Sequence, residues 1–163
     1  MNERDVELLD AGLHPDPHRL LGAHPVKGGV AVRVWRPGAD TVHLHLDGVS
    51  AAAPVELDLV HPDGLFETTL RKAALPLRYT LAATFPDGST HRWIDPYSFL
   101  PTLGELDLHL IGEGRHERLW EVLGARELEV DGVRGTRFAV WAPSARAVPQ
   151  VEGALHGDGP GAR

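Results

Sequence analysis

From Val30 to Phe85 the chain alternates apolar side chains with polar or small ones at a period of two. Val42, Leu44 and Leu46 alternate with His43 and His45. Val55, Leu57 and Leu59 alternate with Glu56 and Asp58, and Leu77, Tyr79, Leu81, Ala83 and Phe85 alternate with Arg78, Thr80, Ala82 and Thr84. Successive side chains of an extended backbone point to opposite faces, so this pattern predicts strands with one face buried and one wet. Two turns share one chemistry, His61-Pro62-Asp63-Gly64 and Phe85-Pro86-Asp87-Gly88. In each, proline presets φ and glycine accepts a positive φ, which closes a hairpin. With strands also expected at 30–36, 65–70 and 90–94, about six or seven strands fall within roughly 70 residues, the density of an immunoglobulin-like β-sandwich. The 18 glycines and 13 prolines, well above the usual share of about 12%, fit a turn-rich, mainly β fold.

The flanks read differently. Val6, Leu8, Leu9 and Leu13 form a small apolar helical face stopped at Gly12. In His14-Pro15-Asp16-Pro17-His18, Asp16 is placed to cap a single helical turn that begins at Pro17 and ends at Gly22. Beyond the strands, Thr102-Leu103-Gly104-Glu105 has the form of a capping box. It opens a helix with Leu103, Leu106, Leu110 and Ile111 on its apolar face, ahead of Gly112 and Gly114. A second short helix is expected from Glu117 to Leu123, ended by Gly124. This apolar connector reads as packed, unlike a Ser/Gly linker.

The most specific pattern is an internal repeat. Gly29-Val-Ala-Val-Arg-Val-Trp35-Arg-Pro37-Gly-Ala39-Asp-Thr-Val42 recurs as Gly135-Thr-Arg-Phe-Ala-Val-Trp141-Ala-Pro143-Ser-Ala145-Arg-Ala-Val148, with glycine, tryptophan, proline, alanine and valine matched at one offset. A lag of roughly 100 residues is the size of one sandwich, so the second copy predicts the first strand of a second sandwich. Past Val148 the pattern fails, and the lone strand has no sheet of its own to join. The chain divides into a helical lead-in over 1–24, a β-sandwich over 25–100, a helical connector over 101–130, the truncated start of a second sandwich over 131–148 and a divergent tail over 149–163. The tail shows neither period and reads as disordered. Its Gly/Ala/Pro/Arg content fits out-of-frame GC-rich coding sequence, so a frameshift or misplaced gene end is expected just after Val148.

The net charge of −7 argues against a nucleic-acid partner, which needs a basic stripe. It suits a neutral partner such as a sugar polymer. The absence of cysteine excludes disulfides, thiolate metal sites and cysteine nucleophiles. The charged start Met1-Asn2-Glu3-Arg4-Asp5 lacks the apolar run of a signal peptide, and no stretch nears the roughly 18 apolar residues of a membrane span. A cytoplasmic location without a membrane partner is expected.

Several motifs together resemble the amino-terminal region of bacterial glycogen (1,4-α-glucan) branching enzymes. They are His14-Pro-Asp-Pro-His-Arg-Leu-Leu-Gly22-Ala-His24-Pro25, Asp95-Pro96-Tyr97-Ser-Phe99, Leu106-Asp107-Leu-His-Leu110, Glu113-Gly114-Arg-His116 and Leu123-Gly124-Ala125. Gly132-Val-Arg-Gly135-Thr-Arg-Phe138-Ala-Val-Trp141-Ala-Pro143 resembles the start of that family's second, glycogen-binding-module-like sandwich. The resemblance implies two sandwiches ahead of an α-amylase-type barrel that cuts an α-1,4 link, holds a glycosyl intermediate and transfers the chain to a 6-hydroxyl. Such chemistry needs two carboxylates about 5 Å apart on a barrel of about 250 residues. No position here matches the barrel motifs, so no catalytic residue is carried over. Two departures stand out: Arg126 where the family has histidine, and a tail without the family's aromatic run.

The implied role is a non-catalytic module that helps position or measure an α-1,4-glucan chain, with the missing catalytic domain as its intramolecular partner and no cofactor. A stand-alone glucan-binding module and a docking module without sugar contact are the alternatives. Aromatic faces stack on sugars, and Trp93, at a strand end beside Ile94-Asp95-Pro96-Tyr97, is the better candidate for a glucan contact. Trp35 and Trp141 hold equivalent repeat positions suited to core or inter-module packing, and Trp120 suits the connector core. His43 and His45 share a strand face, but without an evident third ligand they read as solvent-facing rather than metal-binding. His14, His18 and His24 read as structural. Glu56 and Asp58 on one strand do not make an acid/base pair by spacing alone.

Overall fold

In the computed structural model, residues 3–47, 53–99 and 102–145 are described. The chain runs α1 (Glu3–Asp10), a 3₁₀ turn (Pro17–Arg19), β1 (Gly22–Val26), β2 (Gly29–Trp35), β3 (Thr41–Leu46), β4 (Val55–His61), β5 (Leu65–Arg71), β6 (Tyr79–Thr84), β7 (Thr90–Ile94) and a second 3₁₀ turn (Pro96–Ser98). Then follow α2 (Glu105–Gly112), α3 (Leu119–Val122), β8 (Gly124–Val130) and β9 (Val133–Ala139). The expected strands are all present, and the two Pro-Asp-Gly turns close the β4–β5 and β6–β7 hairpins.

Seven strands make one antiparallel ribbon in the order β1-β2-β5-β4-β3-β6-β7. The seam is β4. Its first residues, Val55 to Leu57, pair with β3, and Asp58 to His61 pair with β5 across a register shift between Leu59 and His61. A strand that changes partners midway and carries a bulge just beyond lets a ribbon curl into two facing layers. The core lies between them: Val30, Val32 and Val34 of β2, Phe66 of β5, Leu57 of β4, Val42 and Leu44 of β3, and Tyr79, Leu81 and Ala83 of β6. Leu59 departs from the expected alternation and is 53% exposed, because from Asp58 onward β4 has left β3 for β5 and with it the layer that Leu57 serves.

A smaller cluster covers the outer face of β2 and β5. Trp35 and Leu65 are cross-strand partners, and they pack with Val6 and Leu9 of α1, with Leu20 and Leu21, and with Tyr97. Helix α1 ends at Gly12 with two hydrogen bonds, Gly12 N–H to the Leu9 carbonyl and Leu13 N–H to the Leu8 carbonyl, the Schellman arrangement. Asp16 makes no side-chain cap. A one-turn 3₁₀ helix whose first residue is proline leaves few N–H groups to cap, and the Asp16 N–H instead donates to His14 Nδ1 at 3.1 Å.

Three segments differ from their sequence reading. Residues 22–26 form an edge strand on β2, where Pro25 is tolerated. The N-cap of α2 is Gly104, not Thr102, with Asp107 Oδ2 accepting from the Gly104 N–H at 3.3 Å. The copied repeat strand is not alone. It lies in β9, which pairs along its whole length with β8, from Gly124↔Ala139 to Val130↔Val133. The joining residues Asp131 and Gly132 both have positive φ, 52° and 80°, the type I′ geometry whose twist matches flanking strands. The divergent tail lies outside the described residues.

Candidate functional site

Trp93, the candidate glucan contact, sits on the edge strand β7 opposite Leu81. Its side chain shares the inner face with that buried leucine and packs, half-buried, against the main core. His91, two residues earlier, lies nearly parallel to it with ring centroids 6.0 Å apart. Arg36, just beyond β2, reaches into this group: its guanidinium carbon stands 5.0 Å from the Trp93 centroid and 5.5 Å from that of Phe85. Its Nη2 is 3.1 Å from His91 Nδ1. Both cation–π contacts are within the attractive range. The Arg36 N–H donates to the Gly64 carbonyl at 2.7 Å, which fixes where the side chain starts. Trp93 thus stands between the core and a guanidinium, and sugar stacking on the guanidinium side requires Arg36 to move. Nothing in the sequence flagged Arg36, because the rings its side chain meets lie far along the chain, His91 being 55 residues away.

Beside this group Asp95 is 3% exposed. The Tyr79 hydroxyl donates to its Oδ2 at 2.5 Å, the Tyr97 N–H donates to its Oδ1 at 3.0 Å, and Ser98 Oγ donates to its carbonyl at 2.6 Å. Burial raises the carboxyl above its ordinary value, against the opposing pull of the two donors. Burial, then the neighbouring Asp95, also pushes the Tyr79 hydroxyl far up. A desolvated carboxylate at the cap of a 3₁₀ turn anchors chain direction, and it is not aimed at solvent where a substrate would meet it.

Of the histidines singled out in the sequence, His14, His18, His24 and His45 have protein partners. Arg92 Nη2 lies 3.2 and 2.9 Å from the two ring nitrogens of His45. Partial burial, then Arg92, then His43 lowers the His45 pKa. A fixed cation on that ring disfavours a metal ion there. His18 meets Tyr97 edge to face at 4.9 Å, His24 Nε2 is 3.0 Å from the Leu21 carbonyl, and His14 binds the Asp16 N–H. Among the described residues no group of three or more histidines and carboxylates could hold a metal ion, and no helix is long and apolar enough to cross a membrane.

Among the described residues the exposed tryptophans and phenylalanine lie beyond the sandwich. Trp120 is 68% and Phe138 70% exposed, and Leu106, Leu108, Leu119, Val140 and Trp141 are also exposed. Polar contacts nonetheless give this region a defined shape. His116 Nε2 is 3.0 Å from Asp107 Oδ1, and Arg137 Nη2 donates to the Val122 carbonyl at 2.9 Å.

The amino-terminal domain family of the α-1,4-glucan branching enzyme GlgB matches residues 2–97. The chain belongs to this family. A 1,4-alpha-glucan branching enzyme GlgB 2 of Streptomyces coelicolor is 52% identical over 159 residues, 98% of this chain and 21% of the relative. GlgB of Nocardia farcinica is 51% identical over 155 residues, covering 93% and 20%. GlgB of Myxococcus xanthus is 44% identical over 160 residues, covering 94% and 21%. The chain therefore spans about a fifth of the length of these relatives. A solved pullulanase from Bacillus acidopullulyticus is a more distant likeness, with a TM-score of 0.40 and 20% identity over 73% of this chain and 12% of that one. Within the GlgB amino-terminal domain the match ends at Tyr97, on the turn that Asp95 caps.

Proposed function

We propose that this chain is the non-catalytic amino-terminal module of a cytoplasmic 1,4-α-glucan branching enzyme, working in cis with a catalytic domain and helping to position or measure the α-1,4-glucan chain. The observation that carries this reading is the split in its surface. Among the described residues every aromatic side chain of the sandwich is at least partly buried, while Trp120, Phe138 and Trp141 beyond it stay exposed. Exposed aromatic side chains of this kind suit a docking surface, and relatives about five times longer have further chain in the same polypeptide to dock there. Trp93 is the residue proposed to touch glucan.

Migration of this chain through native gels containing glycogen tests the glucan part. Retardation that Trp93→Ala abolishes supports it. Unretarded migration favours docking without sugar contact, a reading that the guanidinium over Trp93 also favours. Incubation with amylose is expected to form no new α-1,6 branches, and their appearance would overturn the non-catalytic assignment.

A further inference from the structure

We propose that Asp95 and Tyr97 form a latch that fastens the lead-in, residues 3–21, to the sandwich, and that opening it frees the lead-in as a unit while the main core stays folded. The contacts run in series. Tyr79 belongs to the main core, and its hydroxyl holds the Asp95 carboxylate. That carboxylate holds the Tyr97 backbone N–H. The Tyr97 ring packs with Val6, Leu21 and Leu65 and meets the edge of His18. Gly22 closes the seat from the other side. A Cβ there would stand 2.5 Å from the Tyr97 carbonyl oxygen and 2.9 Å from the Tyr97 Cβ, and Gly22 has φ +87°.

The lead-in's buried apolar contacts are few. It contributes Val6 and Leu21, with Leu9 and Leu20 beside them, to the small cluster, and none of its residues belongs to the main one. Segments with few buried apolar contacts open at the low end of a protein's stability range, in cooperative units. Opening this one uncovers Trp35 and Leu65 on the outer face of β2 and β5. The latch is therefore a conformational device that keeps this apolar face covered.

Amide hydrogen exchange on the full chain tests the proposal with three variants. Tyr79→Phe removes one donor to Asp95 and keeps the ring. Tyr97→Ala removes the knob, and Gly22→Ala blocks the seat without touching Asp95. In Tyr79→Phe the protected amides of Leu13, Leu20 and Leu21 are expected to exchange about five- to ten-fold faster, the scale of one buried hydrogen bond, and in Tyr97→Ala and Gly22→Ala by at least that much. Amides of β3 and β6 keep their wild-type rates. Equal acceleration in the lead-in and in β3 and β6 would mean that the variants weaken the whole sandwich, and would overturn the latch. So would unchanged Leu20 and Leu21 rates in both Tyr97→Ala and Gly22→Ala.

Discussion

Asp95 is the one charged side chain buried among the described residues, and its chemistry can be read through pH. Burial raises its carboxyl above the ordinary value of 3.8, so over some range the folded chain keeps a proton that the unfolded chain has released. A raised folded value gives stability that is fully present below the unfolded value and is lost as pH rises through the folded one. Asparagine cannot titrate. The melting temperature of wild type relative to Asp95→Asn is therefore expected to rise as pH is lowered from about 7 toward about 4. A difference flat across that range would mean that the carboxylate is as well solvated in the fold as in the unfolded chain. The sequence exposed Asp95 only as part of an Asp-Pro-Tyr motif. Its burial depends on Tyr79, which the β6–β7 hairpin brings alongside, and that is a tertiary fact no local pattern carries.

At the scale of elements, strands with clean alternation were legible and those defined by partnership were not. β3 and β6 show their buried faces in the order of their residues, because one layer covers each along its length. β4 alternates equally well in sequence, yet Leu59 is exposed, and the exchange of partners after Leu57 that causes this leaves no local mark. The β8–β9 hairpin was signalled by Asp131-Gly132 between Val130 and Val133, the strongest short hairpin cue. The charged run Arg126, Glu127 and Glu129 on a strand with little buried surface masked it. That turn gives a direct test. A Cβ on Gly132 meets nothing nearer than Arg78 Nη1 at 3.8 Å, so Gly132→Ala adds backbone strain without a clash. Left-handed backbone costs a non-glycine residue roughly 1–2 kcal/mol. Exchange of β8 and β9 amides is expected to accelerate accordingly while β3 and β6 amides do not change. Acceleration in all four strands would show that the hairpin supports the sandwich.

At the scale of the whole molecule, two boundaries coincide. The members of both hydrophobic clusters lie between Val6 and Tyr97, and the match to the GlgB amino-terminal domain family runs from residue 2 to residue 97. Trp93, the one site residue singled out in the sequence, lies inside that boundary, and the exposed aromatics Trp120, Phe138 and Trp141 lie outside it. A two-stranded hairpin is marginal on its own in water, and its tip meets the sandwich through Arg78 and Asp131, 3.9 Å apart and both largely exposed. An exposed pair of that kind contributes about 0–1 kcal/mol. A chain that stops after Phe99 should therefore keep the sandwich and its cooperative unfolding. For a domain of about 100 residues, each 1 kcal/mol moves the melting temperature by roughly 4–8 °C, so the shortened chain is expected to melt within about that interval of the full one. Calorimetry on the two chains decides it. A larger fall would mean that residues beyond 99 hold the sandwich together, with Ile111, the buried residue of α2, as the first contact to examine.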